Sequence, residues 1–186
     1  MDELATVEYR VLRHTISMRG TARPLLFLVG MACWAAVLMA VLVALPNPVA
    51  SIIPLLLLAS TFEAIRILHT SVERIGRYIQ VFFEVSPTAG PGRPPAWEHT
   101  AMRLGSRLTG AGGHPLFVPV LLMATMVNLL AVVFPGPLLI ELLAMGGLHV
   151  AFVAWMLYVE RGVRAQRERE LEAFRALREG PGAAKT

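Results

Sequence analysis

Three observations predict that this chain folds as an all-α integral membrane bundle of four transmembrane helices, arranged as two hairpins. First, the 186 residues are 55% apolar and only 16% charged, with a mean hydropathy of +0.60, which is outside the usual range of a soluble domain of this size. Second, four apolar runs approach the roughly 20 residues that a helix needs to cross a hydrocarbon core. Third, the basic residues are distributed unevenly between the connecting segments. We therefore expect residues 1–186 to form a single membrane domain.

The predicted spans follow the four apolar runs in chain order. The first begins at Leu25 behind a flank of 24 residues, and its length distinguishes it from the core of a signal peptide. The second is the least uniform, because polar residues enter it from Glu63 onward. The predicted boundaries are about 25–45, 47–68, 116–134 and 138–159.

Charge predicts the orientation of the spans. All 17 Lys and Arg residues lie before the first span, between the second and third, or after the fourth, whereas the connectors Pro46-Asn47-Pro48 and Pro135-Gly136-Pro137 contain none. Cytoplasmic loops collect Lys and Arg, and short translocated loops do not. The pattern therefore predicts an even number of spans, with the N- and C-termini in the cytoplasm of a cell whose inner membrane holds the protein.

The two hairpins resemble each other and suggest a tandem repeat. Val-Glu-Arg-x-x-Arg occurs at 72–77 and again at 159–164, an offset of 87, and the two Pro-x-Pro connectors are 89 residues apart. Such short matches also arise by chance between apolar helices, so the alternative is that the hairpins are merely similar in composition. The Pro- and Gly-rich stretch 86–96 is the predicted linker between the halves.

Apolar residues at helical spacing predict amphipathic helices on the cytoplasmic side. A C-terminal cytoplasmic helix is predicted over 160–179, with charges alternating along it. The collar of basic residues should attract anionic lipid headgroups, and it contains no nucleic-acid recognition module. The apolar stripes are Leu4, Val7, Val11 and Met18; Val72, Ile75, Ile79 and Phe82; and Trp97, Ala101, Leu104 and Leu108.

Part of this region resembles a known pattern. The segment 62–102, with Glu-Arg-Ile-Gly-Arg-Tyr at 73–78 as its most specific part, is similar to a sequence found in a family of small bacterial four-span membrane proteins of uncharacterised function. The resemblance implies a bacterial inner-membrane protein. It implies no activity, cofactor or catalytic residue.

Polar residues within the fourth span are candidates for function, because an unpaired polar group is costly in hydrocarbon. Glu141 and His149 lie two turns apart on one helix face. His149 could bind a haem or a metal, or pass protons with Glu141. Alternatively it could make a structural hydrogen bond to Asn128 or to a backbone carbonyl across a helix interface. No second histidine lies at matching depth in a span, so we predict neither a cofactor nor a metal site.

A second group of candidates lies where the helices leave the membrane. At the end of the second span, Glu63 and Arg66 are spaced to pair, as are His69 and Glu73. We hypothesise that the two repeated ends also meet, with Glu73 and Glu160 facing Arg161 and Arg74. The alternative is a set of ordinary interfacial ion pairs. The full set of possible ion-pair residues is Glu63, Arg66, His69, Glu73, Arg74, Arg77, Glu160, Arg161 and Arg164.

The sequence therefore predicts a non-enzymatic protein that acts by interaction, as a scaffold, an assembly factor or an accessory subunit. No catalytic motif is present to argue for an enzyme. A small transporter or channel subunit is the first alternative, and a membrane cofactor or proton-relay protein that uses His149 is the second. The expected partners are the bilayer with its anionic headgroups and either a membrane or cytoplasmic protein or a second copy of the chain.

Overall fold

The computed structural model describes residues 3–45, 47–83 and 116–179, and these residues form helices and short turns, without a strand among them. The all-α class is therefore confirmed. The predicted linker 86–96 and the stripe that begins at Trp97 lie outside the described residues. The helices are α1 (Glu3–Ala44), α2 (Ile52–Phe82), α3 (Val118–Val133) and α4 (Leu139–Glu179), with a 3₁₀ turn (Pro48–Ser51) before α2.

Helix α1 joins the predicted N-terminal amphipathic segment to the first predicted span. Its 42 residues form one helix with Pro24 inside it, so the carbonyl of Gly20 lacks its usual N–H partner at that point. At 1.5 Å per residue, α1 is about 63 Å long. After α1, the side chain of Asn47 caps the 3₁₀ turn by accepting a hydrogen bond from the Val49 amide at 2.9 Å.

Helices α2 and α4 are also longer than the spans predicted within them. The 31 residues of α2 continue to Phe82. The 41 residues of α4 include both the predicted fourth span and the predicted C-terminal helix. Good helix formers at the junctions, such as Arg66 and Glu160, explain why neither helix ends where its composition changes.

Helix α3 is the short one. It covers 16 residues and begins after Phe117, whose φ of 51° is left-handed. The third predicted span had appeared as uniform as the first, yet its helix falls below the roughly 20 residues that a span requires. The turn to α4 uses Gly136, whose φ of 71° favours glycine.

Three helical segments are long and apolar enough to cross a membrane: Glu3–Ala44, Pro48–Phe82 and Leu139–Glu179. Val118–Val133 is apolar but shorter.

The chain forms two compact units. Unit 1 contains the described residues 3–21, 68–83 and 162–179, and unit 2 contains 22–45, 47–67 and 116–161. Most of the charged side chains belong to unit 1, whereas unit 2 is mainly apolar.

The core of unit 2 is built from aromatic contacts and one close helix approach. Phe62 meets Trp155 edge to face, with ring centroids 5.2 Å apart, and Phe27 stacks on Phe117 at 4.2 Å. Gly30 of α1 lies so close to Thr61 of α2 that a Cβ atom at Gly30 would overlap the threonine side chain. These contacts pack α1 and α4 against α2 and fix α1 beside the start of α3.

Candidate functional site

Arg77 is the centre of an ion-pair network in unit 1. Its residue exposure is only 1%, and it is the largest fully buried side chain among the described residues. Its Nη2 atom lies 2.6 Å from Glu170 Oε2, and its Nη1 atom lies 3.2 Å from Glu73 Oε2. Because a guanidinium does not lose its proton in proteins, burial at this place depends on these two carboxylates.

Glu73 holds three cationic or potentially cationic groups around one carboxylate. Besides Arg77 it accepts a hydrogen bond from Arg167 of α4, and His69 Nε2 lies 3.6 Å from its Oε1 atom. Burial raises the pKa of the Glu73 carboxyl, but the charges of His69, Arg167 and Arg77 outweigh that effect and leave its pKa below the ordinary value. Glu73 is therefore ionised near neutral pH.

Glu170 closes the network from the side of α4. It accepts hydrogen bonds from Gln166 at 2.7 Å, from Arg74 at 3.1 Å and from Arg77. Burial again acts to raise the pKa of this carboxyl, and the bonds from Gln166, Arg74 and Arg77 lower it further than burial raises it. Two carboxylates and three guanidinium groups thus join α2 to α4, and both acidic members are charged.

An aromatic layer lies directly next to the ion pairs. Phe174 of α4 meets Tyr78 and Phe82 of α2 with ring centroids 5.9 and 6.4 Å apart. Tyr78 also donates a hydrogen bond to Glu8 of α1 at 3.0 Å. Unit 1 is therefore a three-helix assembly in which the first turns of α1 and the last turns of α2 and α4 are tied together.

The predicted ion-pair residues are only partly brought together. His69, Glu73 and Arg77 meet as their spacing suggested, but the described partners of Glu73 and Arg74 are Arg167 and Glu170. These residues lie about two turns beyond the repeated motif in α4. Sequence reasoning missed them. The available signal was the order of the charges, which is acid then base along α2 at Glu73 and Arg77 and base then acid along α4 at Arg167 and Glu170. Two parallel helices with these opposite orders can pair charge with charge.

The other predicted members occupy separate places. Glu63 and Arg66 form a bidentate pair on α2, and both side chains are about one-third exposed. Glu160 and Arg161 belong to unit 2, and Arg161 is exposed. The side chain of Arg164 lies outside the described part of the chain.

His149 belongs to a buried hydrogen-bond network in unit 2. Its Nδ1 atom lies 2.7 Å from the Met145 carbonyl, and its Nε2 atom lies 2.8 Å from Asn128 Nδ2. A carbonyl can only accept, so Nδ1 carries the proton, and Nε2 then accepts from the amide. Asn128 uses its other hydrogen on the Ser51 carbonyl at 3.1 Å. These contacts describe a neutral imidazole with both nitrogens engaged.

Glu141 does not take part in that network. Its Oε2 atom accepts a hydrogen bond from the Leu138 amide at 2.9 Å, which satisfies a free N–H group at the start of α4. The described residues contain no group of three or more His, Cys, Asp or Glu side chains that could hold a metal ion. Glu141 therefore has a capping role, separate from His149.

Comparison with known proteins adds no relative to these observations: no family model matches the chain, and neither a curated protein nor a solved structure matches it.

The His149 network yields a testable prediction. Asn128→Leu should destabilise the solubilised protein by about 1 kcal/mol, because it leaves His149 Nε2 and the Ser51 carbonyl without their donor in an apolar core. Replacing both Asn128 and His149 with leucine should restore part of that loss. Thermal unfolding in detergent measures both effects. An equal or larger loss in the double variant would contradict a structural role for the pair.

The low pKa values of Glu73 and Glu170 predict acid sensitivity of unit 1. A carboxyl with a lowered folded pKa contributes stability above its unfolded value, here near 4.5, and loses that contribution as the pH falls through the folded pKa. We expect the unfolding temperature to be level near neutral pH and to decline below about pH 4.5. Glu73→Gln should reduce the decline, whereas Glu172→Gln, at an exposed position, should leave it unchanged.

Proposed function

We propose that this chain is a four-span protein of a bacterial inner membrane that displays unit 1 in the cytoplasm as a rigid platform for protein partners. It would act as a scaffold, an assembly factor or an accessory subunit. Three helices of sufficient length and the apolar α3 support the four spans. The absence of Lys and Arg from both Pro-x-Pro connectors supports a cytoplasmic position for both termini.

The observation that carries the proposal is the Arg77 network. A buried ion pair is weak evidence for stability, because desolvation of the charges offsets their attraction. It does favour one register of α4 along α2, since a shift would separate Arg77 from Glu170 and Glu73 from Arg167 and leave fewer opposite charges around the buried groups. A unit held in one register is preorganised, and preorganisation reduces the entropy lost when a partner binds.

Charge on the outside of unit 1 favours particular partners. Arg10, Arg169 and Arg175 are exposed, and Arg74 has a side-chain exposure of 61%. These arginines can bind acidic protein segments, and anionic headgroups where unit 1 approaches the bilayer, while exposed glutamates such as Glu168 and Glu172 lie on the same unit.

The polar groups of unit 2 favour a protein that acts by interaction over a transporter or channel subunit and over a cofactor or proton-relay protein. Transport would need a polar path, but Asn128, His149 and Ser51 bond to one another or to neighbouring backbone. A haem or metal would need a free imidazole nitrogen, whereas both nitrogens of His149 have partners. The proposal therefore assigns His149 to the stability of the bundle.

Contacts between α2 and α4 also favour the tandem repeat. Phe62 meets Phe152, Glu73 meets Arg167, and Arg77 meets Glu170, at offsets of 90, 94 and 93 residues. These values exceed the sequence offset of 87 between the two Val-Glu-Arg-x-x-Arg motifs by three to seven residues, as expected if α4 packs parallel to α2 but is displaced along it. Equivalent segments of the two halves would then lie side by side about an axis along the membrane normal.

Mild-detergent extraction followed by quantitative mass spectrometry of co-purifying proteins tests the proposal. We expect a stoichiometric partner that is lost when Arg169 and Arg175 are both changed to glutamate. It should be retained when Met123, an exposed residue of unit 2, is changed to alanine. Two results would overturn the proposal: a Soret band in the purified protein, or ion flux in liposomes that His149→Ala abolishes.

A further inference from the structure

One face of α1 in unit 1 is apolar and exposed. Leu4 is 77% exposed, Val7 53%, Val11 59% and Met18 61%. Their separations of three, four and seven residues place them on the same side of the helix. In the unit that holds most of the charged side chains, four large apolar side chains on one face form a surface that favours a protein partner.

The exposed residues follow a heptad register. With Leu4 as position a, Val7 is d, Val11 is a, His14 is d and Met18 is a, and all are exposed. The register continues without interruption to the end of α1, and every a and d position is exposed. The later members are Thr21, Leu25, Leu28, Ala32, Ala35, Met39 and Leu42.

The opposite face of α1 packs against its own chain. In unit 1, Tyr9 at an f position meets Phe83 with ring centroids 5.7 Å apart. In unit 2, Gly30 at f approaches Thr61, and Trp34 and Val41 at c are buried. Helix α1 thus contacts its own chain mainly through c and f positions, together with Glu8 at e and Leu38 at g, and its a and d positions stay exposed.

Lipid does not account for the N-terminal part of this face. Helix α1 is about 63 Å long, about twice the ~30 Å of a hydrocarbon core. If residues from Leu25 onward span the membrane, as proposed above, then Leu4, Val7 and Val11 extend into water. Exposure of Leu28 or Met39 needs no protein partner in lipid, whereas Leu4 and Val11 would meet water, where a contiguous apolar face favours a protein partner.

We propose that the a and d positions of α1 pair with the same positions of α1 from a second copy, as a parallel coiled coil. The partner helix must continue in the same direction along the whole face, and a second copy in the same membrane provides such a helix. A sustained period of 3.5 residues is the pattern of two helices that pack by knobs into holes. This inference rests on the proposed membrane function and supplies one of its partners.

Charge at the edges of the face gives the pairing a specific signature. In a parallel pair, the g residue Glu3 faces the e residue Glu8 of the second copy, and these like charges oppose association. Glu3→Lys replaces both repulsions by attractions and should strengthen the pair several-fold. Because a positive charge would also attract anionic lipid, the effect is measured as dimer mass in a neutral detergent.

Cysteine cross-linking in membrane vesicles tests the pairing. The exposed Cys33 is first changed to serine, and Val11→Cys or Met18→Cys is then introduced. Facing a positions come within the ~6 Å between Cα atoms that a disulfide spans, so a thiol oxidant should convert both variants to covalent dimer. Ala176→Cys, at an exposed position of α4, is the matched control and should stay monomeric.

A second variant tests the pairing without a covalent cross-link. Val11→Glu should shift the detergent-solubilised protein from dimer to monomer mass with an unchanged circular dichroism spectrum, because Val11 is 59% exposed. The pairing alone would be overturned if Val11→Cys and Met18→Cys cross-link no more than Ala176→Cys does, while the protein remains in the carbonate-washed membrane pellet. Loss of the wild-type protein from that pellet would overturn the membrane function on which the pairing rests.

Discussion

Replacing Arg77 with methionine should lower the free energy of unfolding by about 3 kcal/mol. Methionine fills much of the same volume but leaves Glu73 and Glu170 facing each other across an uncharged side chain. We expect the lower end of the range for breaking a buried ion pair, because Glu73 keeps Arg167 and Glu170 keeps Arg74 as partners. Thermal unfolding in detergent, followed by loss of the monodisperse size-exclusion peak, measures the change.

Arg74→Met is the matched control for this prediction. Arg74 donates to the same carboxylate, Glu170, but its side chain is 61% exposed, and exposed pairs contribute only about 0–1 kcal/mol. Arg77→Lys should be intermediate, because lysine keeps the charge but cannot donate from three nitrogen positions to two carboxylates. Equal losses in Arg74→Met and Arg77→Met would contradict a central role for the buried guanidinium.

The Arg77 variants also separate stability from function. If unit 1 works as a platform, Arg77→Met should lose its co-purifying partner in proportion to the unfolding of unit 1 at the temperature of extraction. Extraction well below the unfolding transition should recover the partner. A partner lost at every temperature would show instead that a member of the network contacts it directly.

The all-α class and the apolar helices could be predicted from sequence because their signals are local. Apolar runs and helical periodicity depend on residues within a few turns of one another, as in the stripe Val72, Ile75, Ile79 and Phe82. A His149 held by structural hydrogen bonds was among the predicted alternatives for a related reason. Few polar residues occur in the spans, so Asn128 was one of very few possible partners.

The partners of Glu73 could not be predicted with the same certainty. Unit 1 contains many arginines at similar spacing, and the choice of Arg167 depends on how far α4 is shifted along α2. That shift is set by side-chain packing, including the contacts of Phe174 with Tyr78 and Phe82. The repeated motif suggested pairing in register, whereas the aromatic contacts select partners about two turns further along α4.

The continuity of α1 and α4 across their predicted segments was also missed. Composition changes sharply at the end of each predicted span, and a change of composition was interpreted as a boundary between elements. Backbone hydrogen bonds within a helix do not depend on whether the outer surface meets lipid or water. A boundary of composition therefore need not be a boundary of secondary structure, as α1, α2 and α4 demonstrate.

Gly30→Ala should destabilise unit 2 by about 1–3 kcal/mol, although alanine is the better helix former. A Cβ atom at Gly30 would overlap Cγ2 and Oγ1 of Thr61, and the branched threonine cannot rotate both groups away from α1. The helices must then separate, and the packing of Trp34 and Phe62 in the same core is loosened. Gly30→Leu should have a larger effect, measured by thermal unfolding as above.

Other helical glycines of the same chain provide the control. A Cβ atom at Gly146 or Gly20 meets nothing within 4 Å, so alanine there should be neutral or should stabilise the helix by up to about 1 kcal/mol. Adding Thr61→Ala to Gly30→Ala removes both overlapping groups and should recover part of the loss. Alanine is expected to lower the stability at Gly30 but not at Gly146, so a general effect of alanine on α-helices cannot explain a difference between the two variants. Equal responses at the two sites would mean that α1 and α2 do not approach each other through Gly30.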